Sequence, residues 1–208
     1  MAALLVCGIQ AFGTLLRAKK GVAQQLQEIN DAKPRVRLRL PGAVHVEMVN
    51  HVFHISDGSV LQITVPFLRI RFWNDPENPF PKATAKGVRA FVDFFYVGNS
   101  VPCLRMSGRW AESTQPPEYS ALASKDHLLE TTFGFGQEHV VDIAYVSGID
   151  GRCYAWNNDN YPNFHNPHHH LDGMGYCVAV RLRGELFDET FKFSFYINNG
   201  KFRFTQPL

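Results

Sequence analysis

From residue 35 onward, apolar and polar side chains alternate with a period of two, and this pattern limits the fold more than any other feature. In the first such run Val36, Leu38 and Leu40 alternate with arginines. Successive side chains of a strand point to opposite faces of a sheet, so the alternation predicts strands with one buried face. The 17 phenylalanines favour the same structure, because aromatic side chains pack well on a pleated surface.

Turn signals separate the predicted strands. They are Pro41-Gly42, Asp57-Gly58, Gly98-Asn99, Asn199-Gly200 and the proline-rich stretch 74–82. About eight to ten short strands with such turns are typical of a sandwich or barrel. We therefore predict an all-β antiparallel β-sandwich over residues 34–208, preceded by a short helical segment. Residues 175–180, Gly-Tyr-Cys-Val-Ala-Val, resemble the penultimate strand of immunoglobulin- and fibronectin-like folds, and this resemblance implies a sandwich of that type.

Residues 1–33 have a different pattern. Residues 2–16 are uncharged and mostly apolar, and a basic cluster follows at residues 17–20. The stretch is shorter than the ~20 apolar residues of a spanning helix, and no basic residues precede it as in a signal peptide. It is the end of a membrane span, a helix that docks on a membrane or a partner, or an ordinary packed helix. Residues 21–33 then form a short amphipathic helix or linker.

The basic cluster also bears on localisation. If residues 2–16 are the end of a membrane span, the basic residues that follow place the sandwich on the cytoplasmic side. The expected location is therefore the cytoplasmic side of a membrane or the cytoplasm. The formal net charge of +2 provides no strong attraction for nucleic acid. Arginine pairs such as Arg181 and Arg183 are expected on solvated strand faces, with a polyanion site as the alternative.

The four cysteines include no Cys-x-x-Cys pair, so neither structural zinc nor a thioredoxin-like site is expected. We expect Cys153 and Cys177 to be buried free thiols, and the alternative is a disulfide in an extracellular protein. The chain also contains no Gly-x-Ser-x-Gly motif, P-loop or dinucleotide fingerprint. These observations favour a non-catalytic protein without a cofactor.

The segment 151–163 is the most unusual part of the chain, because it combines three aromatic residues with four asparagines and an aspartate. The candidate ligand-binding residues in it are Tyr154, Trp156, Asn157, Asn158, Asn160 and Tyr161. Aromatic faces with a few placed polar groups are typical of a pocket for a small polar ligand such as a sugar. The alternative is structural, since Asn and Asp also form turns.

Two resemblances bear on this segment. The residues Ile143-Ala144-Tyr145, Gly151 and 154–161, preceded by Arg105, Trp110, Pro117 and Tyr119, are arranged as in glycogen- and starch-binding sandwich modules. This resemblance implies a glycan site lined by Trp110, Trp156, Asn158, Asn160 and Tyr161. Residues 108–112, 115–117, 141–144 and 157–159 also resemble sandwich domains of uncharacterised microbial proteins that follow membrane segments. That second resemblance implies a membrane anchor and no particular activity.

A histidine cluster follows in the sequence FHNPHHHLDG. Neighbouring side chains of a strand point in opposite directions, so His168 and His170 are the pair that could converge on a metal ion, with His165 as a further ligand. The alternative is a solvated loop.

Three functions remain open from the sequence. The first is a recognition module, possibly carbohydrate-binding, with an exposed Trp156. The second is a membrane-proximal structural or protein-interaction domain, in which Trp156 is buried. The third is a metal-binding domain that uses the histidine loop.

Overall fold

The computed structural model describes residues 18–28, 33–54, 58–75, 84–113, 129–160, 165–172 and 175–206. Within these residues an α-helix, α1, spans 18–28, and all other regular elements are strands or single 3-10 turns. The strands are β1 Val36–Leu38, β2 Val44–His54, β3 Val60–Asn74, β4 Ala85–Tyr96, β5 Leu104–Ser107, β6 Arg109–Trp110, β7 Glu130–Phe133, β8 Glu138–Val146, β9 Cys153–Ala155, β10 His170–Leu171, β11 Tyr176–Arg183, β12 Asp188–Asn198 and β13 Lys201–Phe204.

The strands form two antiparallel sheets. The seven-stranded sheet has the order β1-β3-β8-β9-β10, with β2 also paired to β3 and β6 also paired to β8. The six-stranded sheet has the order β13-β12-β11-β4-β5, with β7 also paired to β4. The predicted all-β antiparallel sandwich with a short N-terminal helix is therefore confirmed. Its immunoglobulin-like topology stays a prediction.

The core lies between the two sheets and follows the alternation of the sequence. In β4, Val88, Val92 and Phe94 are fully buried, whereas Arg89 and Phe91 point to solvent. Phe94 meets Tyr176 and Phe195 edge-on within the core, an arrangement that aromatic rings prefer.

The β12–β13 hairpin shows why the predicted turn forms. Asn199 and Gly200 have φ angles of 50° and 68°, and both values belong to the left-handed region. A two-residue type I′ turn requires this conformation, and Asn-Gly adopts it at low cost.

Cys153 and Cys177 are free thiols, but only Cys153 is buried as predicted, whereas Cys177 is half-buried. They lie in different sheets, in β9 and β11 respectively. Burial raises the pKa of the Cys153 thiol, so this side chain behaves as a small apolar group of the core.

Candidate functional site

Tyr154 and Trp156, the central aromatic residues of the predicted ligand site, are buried on the outer face of the seven-stranded sheet. Trp156 is 0% exposed and meets the rings of Phe67 and Tyr145 edge-on at 5.4 and 5.1 Å. The Tyr154 ring stacks on Tyr145 at 5.7 Å. With Val65 these residues form a second apolar cluster, which we call the outer aromatic cluster. A sugar ring has no access to the Trp156 face in this arrangement.

The amides of the same segment bond to one another. The Asn157 N–H donates to Asn160 Oδ1 at 2.9 Å, and the Asp159 N–H donates to Asn157 Oδ1 at 2.9 Å. Asn157 Nδ2 also donates to Asp159 Oδ2. These bonds build the 3-10 turn Asn158–Asn160, in which Asn158 is half-buried and Asn160 is fully buried. They correspond to the structural alternative for this segment.

The other predicted site residues do not join this group. Trp110 lies in the core between the sheets, where its indole N–H donates to the Leu129 carbonyl at 3.0 Å. Its ring meets Phe133 at 5.4 Å, away from the outer aromatic cluster that contains Trp156. Tyr161 lies outside the described residues.

Two of the histidines predicted as metal ligands, His165 and His170, pack on the same Tyr154 ring. His165 Nε2 also lies 2.9 Å from Ser147 Oγ, whereas the third, His168, is exposed. His169, which was not a predicted ligand, is buried at 2.9 Å from Asn160 Oδ1, and burial lowers its pKa. In the described part of the chain no three His, Cys, Asp or Glu side chains are grouped so that they could hold a metal ion.

A buried ion-pair network lies on the same outer face as the outer aromatic cluster. Asp142, which is 2% exposed, accepts from Arg69 Nε at 2.8 Å and from Arg109 Nη1 at 3.2 Å. Arg69 also donates to Glu47 at 2.6 Å, and Arg109 donates to the Ser113 carbonyl at 2.6 Å. Burial raises the pKa of the Asp142 carboxyl, and the two guanidinium charges oppose that rise.

Strand β2 lies at an edge of the seven-stranded sheet. One contact shows which of its backbone N–H and carbonyl groups point away from β3. The Val44 N–H donates to Gln206 Oε1 at 3.2 Å, and Gln206 Nε2 donates to the Val44 carbonyl at 2.7 Å. The Gln206 amide thus pairs with Val44 as a neighbouring strand would. The N–H and the carbonyl of Val44 therefore point away from β3. Alternate residues of an antiparallel strand point their backbone groups to the same side, so Val46, Met48 and Asn50 do likewise.

These outward groups border an apolar surface. Val44 is 1% exposed under the second sheet, but Val46 and Met48 on the same face are 41% and 61% exposed. Exposure on this face increases along the paired strand β3 as well, from the buried Leu68 to the half-buried Pro66 and the exposed Thr64. No strand among the described residues pairs with the outer side of β2. We call this surface, formed by Val46, Met48 and Asn50, the β2 edge.

Sequence reasoning missed the outer aromatic cluster, the Asp142 network and the β2 edge. A partial signal existed for the first, because Val65 and Phe67 precede the polar Arg69 on the face opposite to Leu68 and Ile70. For the β2 edge, the signal was the uninterrupted run of alternating apolar residues from Val44 to Met48. The pattern does not distinguish a buried apolar side chain such as Val44 from exposed ones such as Val46 and Met48.

Searches of protein-family models, curated proteins and solved structures gave no match to this chain. Among the described residues, no helix is both long and apolar enough to cross a membrane.

Proposed function

We propose that this chain is a non-catalytic recognition module that binds an extended segment of a partner protein at the β2 edge. The observation that carries the proposal is the combination of outward backbone groups and exposed apolar side chains at Val46 and Met48. An exposed strand edge is a template for another strand. Proteins that use this mode of binding obtain affinity from the backbone and specificity from alternate side chains.

The side chains of β2 indicate what such a segment contains. In a paired strand, residues directly opposite each other lie on the same face of the sheet. Apolar residues of the partner segment would therefore lie opposite Val46 and Met48. Between them a basic residue would lie opposite Glu47, whose side chain is 52% exposed and already accepts from Arg69. The partner segment is thus extended, with an apolar-basic-apolar pattern.

Selection from a library of displayed random peptides on the full chain tests this proposal. We expect enriched peptides to have the alternating pattern and to bind Met48→Pro at least about tenfold more weakly, which corresponds to one lost backbone hydrogen bond. Met48→Pro removes an N–H that points away from β3, so no bond within the sheet is lost. The control Met48→Ala keeps the N–H and retains most of the affinity.

Two outcomes would overturn the proposal. One is a set of enriched peptides that bind Met48→Pro as tightly as the unmodified chain, with both proteins shown to be folded by their thermal transitions. The other is a light-scattering mass that shows a dimer for the unmodified chain and a monomer for Met48→Pro. The β2 edge would then bind a second copy of the chain.

Carbohydrate binding, the ligand class that the sequence suggested, can be tested separately. Because Trp110 and Trp156 are both buried, we expect soluble α- and β-glucans to cause no saturable change in intrinsic tryptophan fluorescence. A saturable change with one class of glucan would restore the glycan site.

Association with a membrane is a second candidate, favoured by helix α1. Every residue of 18–28 is exposed, and Val22 and Leu26, at 56% and 61%, lie on one face at a spacing of four residues. Lys19 and Lys20 add positive charge, which attracts anionic headgroups. Residues 2–16, for which membrane association is predicted, lie outside the described residues.

A vesicle experiment tests this second candidate. We expect the full chain to co-sediment with vesicles of phosphatidylcholine and phosphatidylserine, and the Val22→Ser/Leu26→Ser variant to do so several-fold less, because less apolar area enters the interface. The matched control is Val97→Ser/Val101→Ser, which removes two exposed apolar side chains elsewhere. Equal sedimentation of the two variants would exclude docking through α1.

A further inference from the structure

The outer face of the six-stranded sheet carries arginines in a specific register. One cross-strand row contains Glu130, Arg89, Arg183 and Asp188, contributed by β7, β4, β11 and β12 in that order. In the next row Phe91 lies opposite Arg181. Two arginines, Arg89 and Arg183, therefore face each other directly. Like charges in such a position are unfavourable unless an anion neutralises them.

The carboxylates on this face pair with three of its four groove-lining arginines, and one of these pairs is Arg105 with Asp93 at 3.4 Å. Arg89 Nε donates to Glu130 Oε1 at 2.8 Å. Asp188, although directly opposite Arg183, accepts from the diagonal neighbour Arg181, whose Nε lies 2.6 Å from Asp188 Oδ1. Within the described residues Asp188 attracts the Arg183 charge, but no carboxylate lies close enough to Arg183 to form an ion pair. Arg183 is thus a cation beside a second cation, and it is open to an anion from solution.

Two adjoining grooves meet at this arginine. One has a volume of about 490 Å³ and the other about 330 Å³, and Phe91 and Arg183 line both of them. The Phe91 ring is 37% exposed and offers an apolar surface beside the guanidinium. The smaller groove is also lined by Gly87, Gly184, Arg89 and Glu130.

We propose that these grooves bind an oxyanion, phosphate or carboxylate, attached to an aromatic or apolar group. The Arg183 guanidinium donates to the oxyanion in the planar geometry that suits both phosphate and carboxylate. The attached ring rests on Phe91. This site lies on the six-stranded sheet and is independent of the β2 edge, so either proposal can fail without the other.

The test is a titration of the full chain with phenyl phosphate, benzoate and inorganic phosphate at low ionic strength. The signal is the arginine Nε–Hε resonances in an NMR spectrum, where the Arg183 resonance is identified by its loss in Arg183→Gln. We expect phenyl phosphate to shift the Arg183 resonance saturably. In Arg183→Gln the Kd of phenyl phosphate is measured from the backbone amide resonances of neighbouring residues. We expect this Kd to rise about tenfold, because a charge-assisted hydrogen bond is lost.

Two further variants locate the site. Phe91→Ser weakens phenyl phosphate several-fold and leaves inorganic phosphate unchanged. Arg203→Gln replaces an exposed arginine on the edge strand β13 of the same sheet and leaves every affinity unchanged. Any of three results would overturn the proposal. The first is that Arg183→Gln binds benzoate as tightly as the unmodified chain does, the second is that the unmodified chain binds phenyl phosphate and inorganic phosphate equally, and the third is that the shifts fail to saturate. All three variants alter exposed side chains, and unchanged backbone amide spectra verify that they fold.

Discussion

Replacing Asp142 by asparagine is expected to lower the free energy of unfolding by about 3 kcal/mol, because breaking a buried ion pair leaves an uncompensated charge. Asp142 is 2% exposed and bonds to both Arg69 and Arg109, which are themselves buried. In the variant Arg69 keeps Glu47 as a partner, and Arg109 keeps its bonds to the Trp110 and Ser113 carbonyls but loses the carboxylate charge of Asp142. Urea unfolding followed by circular dichroism measures the difference.

Asp93→Asn is the matched control for this experiment. Asp93 pairs with Arg105 at 3.4 Å, but the two side chains are 31% and 71% exposed. A pair of this kind contributes at most about 1 kcal/mol, since water screens it. Equal losses in Asp142→Asn and Asp93→Asn would contradict the buried network.

Trp156→Ala should lower the free energy of unfolding by about 3–5 kcal/mol, the range for deletion of a large aromatic side chain from a core. The indole fills the space between Phe67 and Tyr145 and is 0% exposed, so its removal leaves a cavity. Chemical denaturation of the folded variant measures the loss. If Trp156→Ala does not fold, Trp156→Phe provides a smaller loss in the same direction.

Trp73→Ala is the comparison for this second variant. Trp73 is half-buried, and the Arg39 guanidinium lies 4.4 Å above its ring. Loss of such a contact costs about 1 kcal/mol. If Trp156→Ala is no less stable than Trp73→Ala, then Trp156 is exposed in solution and the glycan interpretation regains support. The comparison thus bears on function as well as on packing.

The sandwich was predictable because its evidence is local. Alternation along β4 identifies Val92 and Phe94 as core residues without knowledge of their neighbours, and Asn199-Gly200 specifies its turn through the φ angles that these residues tolerate.

The site was less predictable because its evidence is tertiary. Arg69, Arg109 and Asp142 lie far apart in the chain and meet only through the register of three strands. A register shift between Leu68 and Arg69 helps to determine which side chains lie on each face of the seven-stranded sheet. No pattern in the sequence predicts this shift. The aromatic segment around Trp156 could be read as a pocket or as packing, because the residue types are the same for both.

Amide hydrogen exchange of the free full chain, measured residue by residue by NMR, tests the central claim that the β2 edge is open. We expect the Glu47 and Val49 amides, which face β3, to be protected, whereas the Met48 and Asn50 amides exchange rapidly. Gln206→Ala provides the internal control, since it should release the Val44 amide from protection. Protection of Met48 and Asn50 equal to that of Glu47 and Val49 would show that the edge is already covered and would contradict the account.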